Sequence, residues 1–184
     1  MTIKSRPLYS NFKLDVTGRA HLIVTNLPEP PITLEDSLDG ITLWTVQTIA
    51  PGVPAPATPS RRPFRAVSEL LPQLAARLAQ ATIGLRLYAI GAESFIWDAY
   101  NIATNAGLAP AEIFLHQAGP PTRRVYCTHC RTMQDDITLN IAPCPGCGAH
   151  LFVRDHFSRR LAAYMGVKVD AEAPGEIPAA EALD

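Results

Sequence analysis

The chain has 184 residues and a formal net charge of −1; 47% of its residues are hydrophobic and 18% are charged. This balance argues against nucleic-acid binding as the main role, because a near-neutral chain has no surplus of cations for a phosphate backbone. No apolar stretch reaches the length of a membrane span, and residues 1–15 lack the apolar core of a secretory signal. We expect one domain plus a small module, in the cytoplasm and not at a membrane.

The first third of the chain predicts an arm, two strands and a linker. Residues 1–20 are polar with scattered apolar groups, and we expect an extended arm. A β-branched run at His21–Thr25 and a period-two alternation at Ile41–Ile49 each predict a strand. Five prolines within residues 50–63 predict an extended linker or surface loop.

The middle of the chain predicts a helix followed by a strand–helix–strand unit. Ser68 is a candidate cap for the first helix, whose apolar stripe is Leu71, Leu74, Ala75 and Leu78. A strand at residues 85–90, a helix from residue 93 or 94 to 106 and a strand at residues 113–115 follow. Gly107 is expected to end the second helix in the left-handed conformation. The two strands should be parallel, which predicts an α/β domain over residues 21–120.

The chain has four cysteines, and they form the pattern C-x2-C-x13-C-x2-C: Cys127, Cys130, Cys144 and Cys147. Two such pairs can each form a tight turn, a knuckle, and together close a tetrahedron of thiolates around a metal. A four-sulfur site selects zinc or an iron–sulfur centre. Zinc is favoured because it needs no redox tuning, and a rubredoxin-like iron that would carry one electron is the alternative.

Other interpretations of the cysteines are two disulfides, four buried free thiols or a mixed ligand set. Thioredoxin-type pairs occur singly after a strand, which favours the metal site over redox disulfides. His129 or His150 could each replace a cysteine as ligand. Gly148 can adopt the positive φ that lets backbone N–H groups point at the sulfurs, and Arg131 occupies the matching position of the first pair. A metal pattern without a signal indicates a reducing compartment.

The C-terminal part predicts a module over residues 121–168 that ends in a helix, followed by a disordered acidic tail over residues 169–184. Asp155 is expected to cap that helix, whose apolar face is Phe157, Leu161, Tyr164 and Met165. Asp155 and His156 are a conceivable catalytic pair, although a helix cap beside a surface histidine is favoured. A basic cluster of Arg154, Arg159 and Arg160 could dock an acidic partner or be a solvated face.

Residues 84–117 resemble the end of the pyridine-nucleotide domain of ferredoxin reductases. Ile90-Gly91-Ala92 stands where that family has Cys-Gly-Pro, and Ala106-Gly107-Leu108 and Ile113–Gln117 match its following helix end and final strand. The resemblance implies a shortened parallel sheet. The family's nicotinamide-facing cysteine and its Gly-rich first turn are absent, which implies a degenerate domain without its own cofactor-binding residues.

Residues 84–169 resemble the small DmmA-type subunit of bacterial dimethylamine monooxygenase more closely. The resemblance rests on both cysteine knuckles together with Leu151–Val167, including its Arg-Asp-His-Phe-Ser-Arg-Arg run. It implies an NAD(P)H-dependent complex that oxidises dimethylamine with dioxygen to methylamine and formaldehyde. Haem, flavin and iron–sulfur groups would be on partner subunits, and this chain would contribute no catalytic residue. A rubredoxin-like electron carrier is the first alternative, and a zinc-ribbon adaptor is a weaker one.

Overall fold

The computed structural model describes residues 5–32, 40–49, 53, 58 and 60–183. The chain forms two compact units, one from Tyr9–Gly119 and one that joins Met1–Leu8 to Pro120–Asp184. Each unit has its own five-stranded sheet. No helix in the described part of the chain is long and apolar enough to cross a membrane.

The larger unit is built on a parallel sheet with strand order β3-β2-β1-β4-β5. Helix α1 joins β3 to β4, and α2 joins β4 to β5. This order matches the first five strands of the doubly wound nucleotide-binding sheet. The elements are β1 Ala20–Thr25, β2 Ile41–Val46, β3 Arg61–Phe64, α1 Val67–Leu78, β4 Leu85–Gly91, α2 Glu93–Asn105 and β5 Ile113–Gln117.

The parallel sheet buries apolar residues on both of its faces, because its central strands β1 and β4 are apolar at most positions. One set of buried residues, Ile23, Leu43, Tyr88 and Ile90, packs against Phe12 and Leu14 of the N-terminal arm. The alternate residues of β1 and β4 point to the other face. Helix α1 buries Leu70, Leu74 and Leu78 at intervals of four, and α2 buries residues that include Ile96, Ala99 and Ala103.

The predicted strands and helices of this unit are present, and the parallel strand–helix–strand unit of β4, α2 and β5 is confirmed. The predicted apolar stripe of α1 was partly wrong, because Leu70 is buried whereas Leu71 is half-buried and Ala75 is exposed. Gly107 has a φ of 97°, and the Leu108 N–H donates to the Ala103 carbonyl at 3.0 Å, as the helix end requires. The prediction that Ser68 caps the first helix was wrong. Helix α1 begins at Val67 with Ala66 as its N-cap, so Ser68 lies inside the helix.

The predicted proline-rich linker was wrong at its C-terminal end. Arg61–Phe64 forms the edge strand β3, with Trp44 of β2 opposite Arg62 and Thr45 opposite Pro63. An edge strand tolerates proline because one side of its backbone needs no ladder partner. Most of residues 50–59 lie outside the described residues.

The expected arm is held against the sheet by Phe12 and Leu14, which pack on the core.

The smaller unit is built on a mixed sheet with strand order β7-β6-β10-β9-β8. Strands β6 and β10 are parallel, and the other neighbours are antiparallel. The first cysteine pair begins at the last residue of β6 and the second follows β8, so the sheet brings the two pairs together. The strands are β6 Arg123–Cys127, β7 Met133–Ile137, β8 Ile141–Pro143, β9 His150–Ser158 and β10 Ala163–Lys168.

The helix predicted after Asp155 was wrong, because these residues form β9 and β10. Phe157 and Tyr164 were assigned to one helix face, but they pair across an antiparallel hairpin with ring centroids 5.0 Å apart. The period-two burial of Leu151, Val153 and Phe157 is the strand signal. Apolar residues brought together by a hairpin can mimic helical spacing.

The prediction of a disordered tail was also wrong for residues 169–183. Leu139 and Ala182 form an antiparallel bridge, and the Leu183 N–H donates to the Thr138 carbonyl at 2.9 Å. Leu183 is buried. An acidic composition therefore did not prevent order, because the segment pairs its backbone and buries an apolar side chain.

Candidate metal centre

The first cysteine pair sits on a tight turn at the end of β6. The Arg131 N–H donates to the Cys127 carbonyl at 2.9 Å, and the Cys127 N–H donates to the Thr132 carbonyl at 2.9 Å. Arg131 has a φ of 66°, in the left-handed region that non-glycine residues seldom adopt. These bonds bring Cys127 and Cys130 to the same side of the turn.

The second pair repeats this geometry after β8. The Gly148 N–H donates to the Cys144 carbonyl at 2.9 Å, and the Cys144 N–H donates to the Ala149 carbonyl at 2.8 Å. Gly148 has a φ of 72°, which confirms the expected positive value. The two knuckles thus share one hydrogen-bond pattern, with Arg131 where the second knuckle has Gly148.

The two knuckles bring their four sulfur atoms together, all within 4.8 Å of one another. The Sγ atoms of Cys127 and Cys147 are 3.9 Å apart, and those of Cys130 and Cys144 are 3.5 Å apart. A zinc–sulfur distance of about 2.3 Å gives a tetrahedron edge of about 3.8 Å. The cysteines are free rather than disulfide-bonded. The spacing is therefore that of ligands around one small cation.

The pKa values of two thiols show why the cluster favours a cation. Hydrogen bonding with the Thr132 side chain and backbone lowers the pKa of Cys130 to about 6. Although the backbone N–H of Ala149 lowers the pKa of Cys147, burial and the neighbouring sulfurs raise it to about 12. One thiolate forms readily, but four adjacent negative charges repel. A divalent metal would supply the compensating charge.

The four ligands differ in their access to solvent. Cys127 and Cys144 are buried, whereas Cys130 and Cys147 reach the surface. Beside Cys147 lies an open pocket of about 340 Å³ whose lining includes His129 and His150. Neither histidine belongs to the metal-binding group found among the described residues, which consists of the four cysteines.

Sequence reasoning missed two residues that support the cluster, Thr132 and Gly146. The Thr132 hydroxyl oxygen lies 3.2 Å from the Cys130 sulfur. A Cβ at Gly146 would be 2.0 Å from that oxygen and 3.1 Å from the Cys130 sulfur. The glycine therefore lets the knuckles approach each other. The sequence predicts the Pro-Gly turn between Cys144 and Cys147, but it gives no sign that Thr132 lies opposite that turn.

The other candidate pair, Asp155 and His156, is part of a structural ion-pair network. Asp155 Oδ1 lies 2.7 Å from Arg6 and 3.1 Å from Arg123, and His156 contacts Ser5. Burial raises the pKa of Asp155, but the bonds and charges of the two arginines hold it below its usual range. An ion-paired carboxylate of this kind is a poor general base. Arg154 lies on β9, and Arg159 and Arg160 follow the strand in a turn rather than in a helix.

Asn26 links the carboxyl ends of β1 and β4, at the edge of the parallel sheet where nucleotides bind in such folds. Asn26 follows β1, and its side-chain oxygen accepts a hydrogen bond from the Ala92 N–H at the start of α2. A Cβ at Gly91 would be 1.7 Å from that oxygen. The buried Glu93 carboxylate lies in the first turn of the same helix and accepts a hydrogen bond from the Tyr9 hydroxyl.

Comparison with known proteins identifies the family. Residues 49–113 match the N-terminal domain model, and residues 124–167 the C-terminal domain model, of the dimethylamine monooxygenase subunit DmmA-like family. The chain belongs to the DmmA-like family. The second segment lies within residues 84–169, where the resemblance was placed, and contains all four cysteines. The first segment begins earlier, at residue 49, and overlaps that range.

One relative of this DmmA-like chain is the "Heme-dependent oxidative N-demethylase delta subunit" of Ectopseudomonas mendocina (strain ymp). It is 42% identical over 111 residues, which are 60% of this chain and 63% of the relative. The match therefore spans about three fifths of each protein. No solved structure matches the chain.

Proposed function

We propose that this DmmA-like chain is a non-catalytic, cytoplasmic subunit of an NAD(P)H-dependent dimethylamine monooxygenase, in which it stabilises and docks partner subunits. The observation that carries the proposal is the four-sulfur cluster within a chain of this family. The relative's name supports it, because that protein is a subunit of a heme-dependent N-demethylase.

The oxidation itself would take place on other subunits. Dimethylamine, dioxygen, NAD(P)H and a proton would give methylamine, formaldehyde, NAD(P)⁺ and water. A haem subunit would activate oxygen, and a flavin and iron–sulfur subunit would deliver the electrons. The ion-paired state of Asp155 supports this division, since it leaves that carboxylate no role as a base.

The parallel-sheet unit would be a degenerate relative of the ferredoxin-reductase nucleotide domain. Asn26 bonds to the start of α2, where a phosphate would otherwise bind, and Glu93 adds a negative charge to the same helix turn. Helix N-termini attract anions, so a carboxylate in the first turn opposes phosphate binding. Any NAD(P)H would therefore bind on a partner subunit.

The metal would be zinc, held by Cys127, Cys130, Cys144 and Cys147. A closed set of four thiolates leaves no open coordination position, which is typical of structural zinc. The metal would supply positive charge and link the two knuckles. The residues of this chain would fix its position through the matched turns and the Thr132 contact.

Metal analysis and a visible spectrum of the aerobically purified complex test this proposal. We expect one zinc per copy of this chain, no visible band from the isolated chain, and co-purification with a haem protein and a flavoprotein. Failure of a tagged copy to retain either partner would contradict the subunit role. Zinc bound without any partner would support the metal assignment alone.

An iron-bearing electron carrier is the second candidate, because Cys130 and Cys147 reach the surface. Sulfur at the surface would give electrons a short path to a docked partner. A red chain whose bands bleach under reductant would favour this candidate. A colourless chain with one zinc would exclude it.

A further inference from the structure

A second pocket lies in the smaller unit, at the edge of β9. Its cavity volume is about 390 Å³. Strand β8 pairs with residues 150–152 of β9, and the segment at Ser5 pairs further along at His156. The pocket lies where Arg6, Asn140 and the segment at residues 181–183 approach this part of β9.

The charged residues that line the pocket carry a positive surplus. Three guanidinium groups, from Arg6, Arg123 and Arg154, face two carboxylates, from Asp155 and Glu181. Arg6 and Arg123 both contact the same oxygen of Asp155, so one carboxylate serves two cations. Among the described lining residues, the guanidinium groups therefore outnumber the carboxylates by one.

Arg123 is the group best placed to use that surplus. It is only 5% exposed, and its guanidinium lies 4.3 Å from the centre of the Tyr164 ring. Among the described residues its one hydrogen-bond acceptor is Asp155, at 3.1 Å from Nη1. A guanidinium has five N–H donors, so donors remain for a ligand. Ring stacking and the ion pair hold the group in a fixed orientation.

Arg154 adds a second, exposed cation to the pocket lining. Its guanidinium lies 6.0 Å from the centre of the Phe152 ring. The pocket is thus lined by one buried, oriented arginine, Arg123, and one exposed arginine, Arg154. Guanidinium groups bind planar or tetrahedral oxyanions through paired hydrogen bonds, so this lining suits such an anion.

We propose that this pocket binds a small oxyanion, a carboxylate or a phosphate, through Arg123 and Arg154. The site is separate from the four cysteines, and its anion binding takes no part in amine oxidation. Carboxylate and phosphate share the required chemistry, and the experiment distinguishes them.

The test titrates the metal-loaded full chain separately with sodium phosphate and sodium acetate, against sodium chloride of equal ionic strength. Calorimetry and the melting temperature report binding. We expect saturable binding of at least one of the two anions beyond the chloride baseline. Arg154→Gln should weaken the affinity about five-fold or more, as the loss of a charged hydrogen bond predicts. Stronger phosphate binding would indicate a phosphate ligand, and stronger acetate binding a carboxylate.

The matched control is Arg160→Gln, which removes the same charge from an exposed position that does not line the pocket. Its anion affinity should equal that of the unmodified chain. Arg123→Lys, checked for folding by circular dichroism, keeps the charge but removes the forked donors, and should also weaken binding. The proposal fails if neither anion saturates, or if the Arg154 and Arg160 variants change equally.

Discussion

The two units of this chain are stabilised in different ways. The parallel sheet buries apolar side chains on both faces, with Leu22, Ile23 and Leu87 almost fully excluded from solvent. The mixed sheet has an edge strand, β7, with no fully buried residue, and its two cysteine knuckles meet at a cluster that favours a cation. The larger unit is therefore stabilised by its core, whereas the smaller unit, which buries Val125, Leu151 and Tyr164, should depend on a bound metal as well.

The largest expected effect is the loss of the metal from the smaller unit. Cys144→Ala removes a buried ligand, and we expect residues 124–153 to unfold while the parallel sheet stays folded. Structural zinc contributes about 10–16 kcal/mol in small zinc-binding peptides, as much as the whole stability of many domains. Hydrogen exchange followed peptide by peptide would measure both units. Unchanged protection around the knuckles would show that the metal is dispensable for folding.

The reverse experiment perturbs the core of the larger unit. Leu87 lies fully buried in β4, and Leu87→Ala should cost about 2–5 kcal/mol from lost burial and the remaining cavity. Exchange should increase within residues 9–119, and the metal content should not change. Loss of the metal in this variant would mean that the two units do not fold independently.

Sequence reasoning was most successful where one local pattern decides the structure. The knuckles could be predicted because two cysteines and a turn lie within six residues, and the helix end at Gly107 because only a positive φ fits there. The parallel pairing of β4 and β5 followed from a single intervening helix. Each of these features depends on neighbours in the chain.

The wrong predictions share the opposite property. Phe157 and Tyr164 fit a helix face, and only the partner strand shows that they form a hairpin. The sequence of residues 181–183 has no pattern that predicts structure. Their order depends on hydrogen bonds with Thr138 and Asn140, which are distant in sequence. Thr132 could not be assigned to the cysteine cluster because the opposite knuckle, with Gly146, is distant in sequence.

Gly146→Ala should have an intermediate effect that is confined to the metal-bearing unit. The new Cβ would meet the Thr132 hydroxyl at 2.0 Å, and such overpacking costs about 1–3 kcal/mol. We expect weaker metal retention in a chelator competition and no change in the parallel sheet. Thr132→Ala in the same chain removes the closest contact and should recover part of the loss. If the single variant kept full affinity, the close approach would not matter to the site.

The smallest expected effect compares the two knuckles directly. Arg131 has a φ of 66°, and the left-handed conformation costs a non-glycine residue about 1–2 kcal/mol. Glycine avoids that strain, but it loses more backbone entropy on folding, which costs about 0.5–1 kcal/mol of stability. Arg131→Gly should therefore stabilise the metal-bearing unit by up to about 1.5 kcal/mol, measured by chemical denaturation with metal present.

The matched substitution is Gly148→Arg, which places arginine at the same position of the other knuckle. No atom lies within 4 Å of a Cβ built at Gly148, so the expected penalty comes from its φ of 72° alone. It should be similar in size and opposite in sign to the gain at Arg131. Equal and opposite changes would mean that the two turns are equivalent as backbone. A loss at both positions would mean that the Arg131 side chain contributes contacts that outweigh its backbone strain.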